Sequence, residues 1–292
     1  MIVSSSTWLH RNHPDAHMDS YQHWSSEYSI GESFMRHHSQ GETMRVAILS
    51  SGGKDSTYSA WWATLQGWDV VSIITVGVIG KDSMMFQIPN TAIAGVQAAS
   101  IGVPWLPVMT RGHEDIEVQD LECAIAGNSS VMEAFESIWP DSYTVPEEMA
   151  LHNGPLEIDG IVSGALRSDY QKTRIERMCE RLGVKSFCPL WHNDQYGHMS
   201  SLVENGFEVI FTSISCEGLD ETWLGAKLER NTLEKLESLS LENRFNLDGE
   251  GGEFETLVVN APHFSKRVLV EGSPHWNGSR GVWNVESCLL EC

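Results

Sequence analysis

The sequence predicts an α/β fold: a parallel sheet with helices on both faces (Rossmann-like), followed by a smaller C-terminal α+β domain. Three observations predict it. Short apolar runs alternate with helical segments from residue 44 to residue 190, a glycine-rich turn follows the first run, and the alternation ends beyond Trp191. Strands separated by helices of this length pair in parallel, and the resulting sheet needs cover on both faces.

The elements follow from apolar periodicity and from the residues at their ends. Gly67, Gly102 and Gly183 each stand just after a helical segment, where a left-handed residue closes a helix, and Asn90 is a good N-cap for the second helix. The predicted elements are, in order, a strand at 45–49, a helix at 55–66, a strand at 70–76, a helix at 91–101, strands at 103–109 and 158–162, a helix at 169–182 and a strand at 184–190.

The pattern divides the chain into three parts. Residues 1–43 hold half of the 12 histidines and lack apolar periodicity, which predicts a flexible His- and Ser-rich extension. Residues 44–192 form the first domain, interrupted at 128–157 by a proline-containing insertion with one short helix. A strand at 208–215, helical material at 220–242 and a β-like run at 256–259 predict a second domain over 193–292.

Composition excludes several classes of protein. The 292 residues carry 40 acidic and 19 basic side chains, a net charge of −21, which disfavours broad binding to nucleic acid or anionic membranes. No apolar run approaches the roughly 20 residues needed to span a bilayer. The six cysteines are scattered without a CxxC pair, and we find no secretory signal, so we expect a cytoplasmic protein with reduced thiols.

The most informative string is Ser-Ser-Gly-Gly-Lys-Asp-Ser at residues 50–56, after a strand and at the start of a helix. Two glycines permit a tight turn, and the free N–H groups of a helix start favour an anion such as phosphate. Lys54 adds positive charge, and Asp55 is a candidate ligand for Mg²⁺ that bridges phosphate oxygens. The string is not a Walker loop. By itself it also fits an ordinary strand-to-helix turn.

Residues 51–56 resemble the PP-loop of the adenine nucleotide alpha-hydrolase-like ATP pyrophosphatases, which transfer AMP from ATP to a carboxylate or carbonyl oxygen. Three further strings resemble the diphthine–ammonia ligase family. They are Phe-Gln-Ile-Pro-Asn at 86–90, Gly-Ala-Leu-Arg-Ser-Asp-Tyr-Gln-Lys-Thr-Arg at 164–174 with Pro-Leu-Trp at 189–191, and Gly-Glu-Gly-Gly-Glu-Phe-Glu-Thr at 249–256.

The resemblance implies an enzyme that converts diphthine, a modified histidine of translation elongation factor 2, to diphthamide. ATP, Mg²⁺ and ammonium would be used, an acyl adenylate would form, and AMP and pyrophosphate would leave. We expect adenine near residues 76–78. Lacking a glutaminase-like segment, the chain is expected to use free ammonium.

The expected site residues combine the motifs with their chemistry. Lys54, Asp55 and Glu253 are the predicted catalytic residues, with Asp55 also the predicted metal ligand and Glu253 the residue that handles ammonia. ATP is expected to contact Ser51, Gly52, Gly53, Lys54, Asp55, Ser56 and Arg174. The substrate is expected to contact Arg167, Ser168, Asp169, Tyr170, Gln171, Glu250 and Glu253.

Three departures and two alternatives accompany this interpretation. The family pattern has His where this chain has Gln87, and neither the 1–43 extension nor the 128–157 insertion belongs to it. A PP-loop tRNA-modifying enzyme of the thiolation type is one alternative, although it typically needs paired cysteines and a basic RNA surface. The other is a non-catalytic ATP-binding module.

Overall fold

Five short strands form the first sheet of the protein, whose computed structural model describes residues 43–78, 91–112 and 116–292. All neighbouring strands are parallel, in the order β3-β2-β1-β4-β5. The strands are β1 (Arg45–Leu49), β2 (Asp69–Val78), β3 (Trp105–Thr110), β4 (Gly160–Ser163) and β5 (Lys185–Phe187). The predicted parallel sheet is confirmed.

Helices cover both faces of this sheet. Successive side chains of a strand point to opposite faces, and apolar side chains stand on both. On one face, Val46 and Ile48 pack against α1 (Lys54–Leu65) and α2 (Ile93–Ile101). On the other face, Ala47 and its neighbours pack against α3 (Glu117–Ile125) and α5 (Asp169–Leu182).

The helix α4 (Val131–Ile138) lies beside the edge strand β3, with the ring of Phe135 centred 6.1 Å from that of Trp105. This helix falls within the predicted insertion at 128–157.

A second sheet is antiparallel, in the order β7-β6-β9-β8. Its strands are β6 (Glu208–Ile214), β7 (Phe254–Asn260), β8 (Val268–Asn277) and β9 (Arg280–Leu290). The helices α6 (Gln195–Glu204) and α7 (Arg230–Asn243) pack with a short 3₁₀ turn, Glu221–Trp223, against one face of this sheet. The predicted α+β character of the C-terminal part is confirmed.

The helix α2 lies between the two sheets. Every residue from 93 to 100 is buried. Ala94 and Ala98 contact the core of the parallel sheet, while Ile93 and Val96 contact the antiparallel sheet. A helix that is apolar on all sides is stable in this position, because each side meets another layer.

Residues Met44–Cys292 form one compact unit that includes both sheets, and the division at 192/193 stays a prediction. Helix α2 begins at Ile93, two residues after the predicted start. Strand β5 ends at Phe187, because a turn in which the Trp191 N–H donates to the Cys188 carbonyl (3.1 Å) replaces the predicted continuation. Asn90, the string at 86–90 and residues 1–42 of the extension lie outside the described residues.

In the described ranges, every helix is too short or too polar to cross a bilayer.

Candidate active site

The loop between β1 and α1 has the conformation expected of an anion-binding turn. Gly52 adopts φ +83°, a left-handed conformation that glycine accepts without strain. The Gly52 N–H donates to Ser50 Oγ (3.1 Å), and Ser50 Oγ donates to Ser56 Oγ (3.1 Å). Gly53 has no side chain to cap α1, and the N–H groups of Asp55 and Ser56 in the first turn can donate hydrogen bonds to an anion.

Strand β7 of the second sheet holds this loop in place. The N–H of Lys54 donates to Oγ1 of Thr256 (3.2 Å), and the N–H of Val258 donates to the Gly52 carbonyl (3.1 Å). Nε2 of Gln97, on α2, donates to the carbonyls of Gly52 (2.9 Å) and Val258 (2.7 Å). These contacts bring the string at 249–256 beside the loop at 50–56, some 200 residues earlier in the chain.

A pocket of about 600 Å³ opens at this junction, at the carboxyl ends of β1, β2 and β4. Leu49, Ile74, Val76 and Ile175 give it an apolar side, and Val76 belongs to the segment expected near adenine. The predicted site residues that line it are Ser51, Gly53, Lys54, Asp55, Ser56, Ser168, Gln171 and Glu250. Within the described chain, the predicted residues that do not line it are Gly52, Arg167, Asp169, Tyr170, Arg174 and Glu253.

Lys54 and Asp55 form an ion pair at the floor of the pocket. Nζ of Lys54 lies 2.8 Å from Oδ2 of Asp55, and their side chains are 5% and 25% exposed. Burial raises the pKa of Asp55. The charge of Lys54 and a hydrogen bond with His198 together lower it by more, so the pKa of Asp55 lies below its ordinary value. Asp55 is therefore ionised and negative at neutral pH.

Glu250 faces the pocket and is tied to the segment before α5. Its Oε1 accepts a hydrogen bond from the Arg167 N–H (3.0 Å). Burial, followed by the nearby carboxylates of Asp55 and Asp248, raises the pKa of Glu250 despite that hydrogen bond. A carboxylate with a raised pKa takes up a proton more readily.

The Arg167 side chain connects parts of the protein rather than lining the pocket. Its guanidinium donates to Oδ2 of Asp248 (2.5 Å) and to the Asn193 carbonyl (2.8 Å). Together with the Glu250 contact, these bonds join the segment before α5 to the turn at 248–250. Arg167 therefore supports the pocket wall.

Glu253 is directed toward its own turn. Oε1 accepts from the Asn246 N–H (2.9 Å) and from Nδ2 of Asn246 (2.8 Å), while Oε2 is buried without a hydrogen-bond partner among the described residues. Two residues on, Glu255 lines the pocket, and burial raises its pKa. Its place in the string at 249–256, together with Glu250 and Glu253, was the signal that could have identified Glu255.

The start of α5 contains the remaining predicted residues. Ser168 caps the helix by accepting from the Gln171 N–H (3.4 Å), and both residues line the pocket. The Arg174 guanidinium lies 4.5 Å from the centre of the Tyr170 ring, and Asp169 is exposed. Arg174 and Tyr170 thus pair with each other on the first turns of α5.

Besides Glu255, two polar residues that hold the site without lining the pocket were not predicted. Gln97 fixes the loop as described above. His198, on α6, lies with Nε2 2.8 Å from Oδ1 of Asp55 and is 1% exposed. It is 143 residues from Asp55 along the chain, so no local sequence pattern predicts the contact.

A parallel sheet whose first strand leads through a glycine-rich turn into a helix, beside a pocket at the strand ends, is typical of nucleotide-binding α/β proteins. Family models agree and are more specific. The model of the diphthamide synthase N-terminal domain matches residues 44–135 and 143–186, and that of the diphthamide synthase C-terminal domain matches residues 194–290. The chain belongs to the diphthamide synthase family.

Curated relatives point to the same family. The chain is 31% identical to the diphthine–ammonia ligase of Schizosaccharomyces pombe over 85% of its own length, which is 40% of the length of that protein. It is 29% identical to the diphthine–ammonia ligase of Bos taurus, covering 79% of this chain and 84% of the relative. The N-terminal model also matches residues 128–135 and 143–157, so the prediction that the whole segment 128–157 lies outside the family pattern is wrong; within that segment, residues 136–142 are unmatched.

Among solved structures, a predicted subunit of tRNA methyltransferase from Methanocaldococcus jannaschii is 18% identical, covers 75% of this chain and 98% of its own, and has a TM-score of 0.34. A similarity at this score carries no conclusion about function.

Proposed function

We propose that the chain is an ATP-dependent amide ligase that converts diphthine on translation elongation factor 2 to diphthamide with ammonium. The reaction would pass through an acyl adenylate and release AMP and pyrophosphate. Family membership supports the class of reaction. The observation that carries the proposal is the convergence of the loop at 50–56 and the turn at 249–256 on one pocket.

The loop suits the pyrophosphate part of ATP. Backbone N–H groups at the start of α1 and the hydroxyls of Ser51 and Ser56 surround the place where phosphate oxygens would bind. Attack by the substrate carboxylate on the α-phosphorus forms the acyl adenylate and expels pyrophosphate, whose charge these donors stabilise.

The donors in the pocket also fit a magnesium ion bound together with ATP. Each Asp55 oxygen accepts one contact, and an ionised carboxylate has further lone pairs available. The described residues contain no cluster of three or more His, Cys, Asp or Glu side chains arranged for a metal. Asp55 would therefore hold the ion with phosphate oxygens, as Mg²⁺ commonly binds, and the ion would offset phosphate charge.

The second half-reaction needs a base. Ammonium must lose a proton before nitrogen can attack the acyl carbon, and a second proton leaves as the amide forms and AMP departs. Glu250 faces the pocket with a raised pKa, whereas the described contact of Glu253 is with Asn246. The geometry therefore favours Glu250 for this role, and the sequence-based role of Glu253 is tested beside it.

The test combines a product assay with two variants. Purified protein is incubated with ATP, Mg²⁺, ammonium chloride and diphthine-bearing elongation factor 2, and AMP and amide are measured. We expect one AMP per amide. E250Q is expected to lower amide formation about 100-fold or more at unchanged ATP affinity, while E253Q keeps its bonds with Asn246 and most of its activity.

Other results would redirect the proposal. Release of ADP would contradict the adenylate mechanism, and sulfur transfer to tRNA would favour the thiolation-type alternative. Loss of amide formation in E253Q with normal E250Q activity would return the base to Glu253. The cytoplasm, where translation takes place, is the proposed location, and fractionation checks it.

A further inference from the structure

Asp55 is held at both of its carboxylate oxygens by groups from different parts of the chain. Nζ of Lys54 contacts Oδ2 at 2.8 Å, from the adjacent residue. Nε2 of His198 contacts Oδ1 at 2.8 Å, from α6. The second contact connects the C-terminal half of the chain to the first turn of α1, where the pocket begins.

Among the described residues, the imidazole of His198 makes one hydrogen bond, with Asp55. The side chain is 1% exposed, and its ring lies edge-on to that of Tyr58, with centres 5.2 Å apart. Nδ1 is buried without a hydrogen-bond partner among the described residues. Because Oδ1 of an ionised carboxylate only accepts, Nε2 carries the hydrogen and donates it to Asp55.

Helix α6 fixes the position of this donor. Asp194 caps the helix by accepting from the Gly197 N–H (2.7 Å), immediately before His198. Less than one turn further, Oγ of Ser201 lies 2.9 Å from Oη of Tyr58 on α1. The helix is therefore capped just before His198 and contacts α1 just after it.

Fixing the plane of this carboxylate matters because Asp55 is negative and lines a pocket expected to hold phosphates. If the carboxylate rotated, its negative charge would point toward the phosphates instead of toward the cations, Lys54 and Mg²⁺. Lys54 alone fixes one oxygen and allows rotation about it. Two donors, one on each oxygen, define the plane.

We propose that His198 is a positioning residue for the reaction, which holds the Asp55 carboxylate in the orientation that ATP–Mg²⁺ binding and adenylation require. The inference rests on the proposed function. It assigns to α6 a direct role in the nucleotide site, in addition to its packing role.

The test separates hydrogen bonding from packing. Gln places its side-chain N–H₂ the same number of bonds from Cβ as Nε2, so H198Q can still donate to Oδ1. Asn is equally polar but reaches less far, so H198N cannot. S200A is the matched control, because it removes a hydrogen bond within the same helix, from Ser200 Oγ to Glu204, and does not involve α1 or Asp55.

Three quantities are measured on the full chain: the affinity for ATP with Mg²⁺, the kcat and KM of AMP formation, and the midpoint of thermal unfolding. H198N is expected to lower ATP–Mg²⁺ affinity about 10-fold and kcat about 100-fold. H198Q should stay close to wild type in both. S200A should leave affinity and kcat unchanged.

If H198Q and H198N lose equal affinity and kcat, in proportion to the fall in their unfolding midpoints, His198 acts through packing alone and the inference is wrong. Normal affinity and kcat in H198N would also overturn it. If the wild type forms no AMP with diphthine-bearing elongation factor 2, the proposed function fails. The affinities then decide the inference alone: weaker binding in H198N than in H198Q supports it, and equal binding rejects it.

Discussion

Gly164 leaves no room for a side chain beside the nucleotide loop. A Cβ at this position would lie 2.6 Å from the N atom of Ser56 and 2.7 Å from the carbonyl carbon of Asp55. Both contacts are with backbone atoms of the first turn of α1, which cannot rotate away. The absence of one methyl group thus lets the strand β4 end against the helix that begins the site.

G164A is expected to weaken ATP binding about 10-fold or more, because overpacking of about 1–3 kcal/mol would be relieved by displacing the start of α1. Equilibrium binding of ATP measures the effect, and circular dichroism checks that the fold is retained. G160A, at the start of β4, places its Cβ against Phe187 and the Lys185 carbonyl instead and should bind ATP normally. If G164A binds ATP with wild-type affinity, the loop accommodates the added methyl group without an effect on binding.

Residues of this site differ in how far the sequence could predict them. The loop at 51–56 and Glu250 are recognisable because glycines, a lysine and carboxylates in short strings suggest phosphate and proton chemistry. His198 and Gln97 act through contacts 143 and 45 residues away, which only folding creates. Glu253 shows the reverse: a motif residue whose described hydrogen bonds are with Asn246.

At the scale of elements, α2 and β7 act together as a clamp on the loop. Gln97 is buried in an otherwise apolar stretch, and its amide joins the carbonyl of Gly52 to that of Val258. Ser100, on the same helix, makes an equivalent buried connection, since its Oγ donates to the Lys266 carbonyl. One polar residue thus fixes the loop and the other fixes the chain after β7.

Q97L is expected to cost about 1–3 kcal/mol of stability, because buried carbonyls lose their donor, and to weaken ATP binding by loosening the loop. S100A is the matched control on the same helix: it should lower stability by a similar amount and leave ATP affinity unchanged. Urea unfolding and equilibrium binding measure the two effects. Equal changes in ATP affinity would mean that general destabilisation, rather than the clamp, controls the site.

Element prediction succeeded where a pattern is local. Helix α5 has the predicted bounds, Asp169–Leu182, because Ser168 caps it and Gly183, at φ +71°, ends it. Helices α3 and α6 and strands β8 and β9 were not predicted. Strand β8 lies at the edge of its sheet and many of its residues are exposed, so it lacks the apolar run that identifies a buried strand.

At the scale of the whole molecule, one histidine makes stability depend on pH. His263 follows β7 and packs against the rings of Phe207 and Phe264, with centres 6.4 and 5.0 Å away. Neither ring nitrogen has a hydrogen-bond partner among the described residues. Burial therefore lowers the pKa of His263 to about 4, below the ordinary 6.5.

Between these two pKa values the unfolded chain binds a proton at His263 and the folded chain does not, so stability falls as the pH falls from about 6.5 toward 4. At pH 5 this difference amounts to about 2 kcal/mol.

H263F removes the titrating group and keeps an aromatic ring between Phe207 and Phe264. We expect the loss of unfolding free energy between pH 7.5 and 5 to be about 2 kcal/mol smaller in H263F than in wild type. H275F, which replaces an exposed histidine of β8, should keep the wild-type loss. Other groups titrate over the same range, but they are common to all three proteins, so urea unfolding at the two pH values isolates His263. An equal loss in H263F and wild type would mean that the folded chain accepts the proton on His263 without cost.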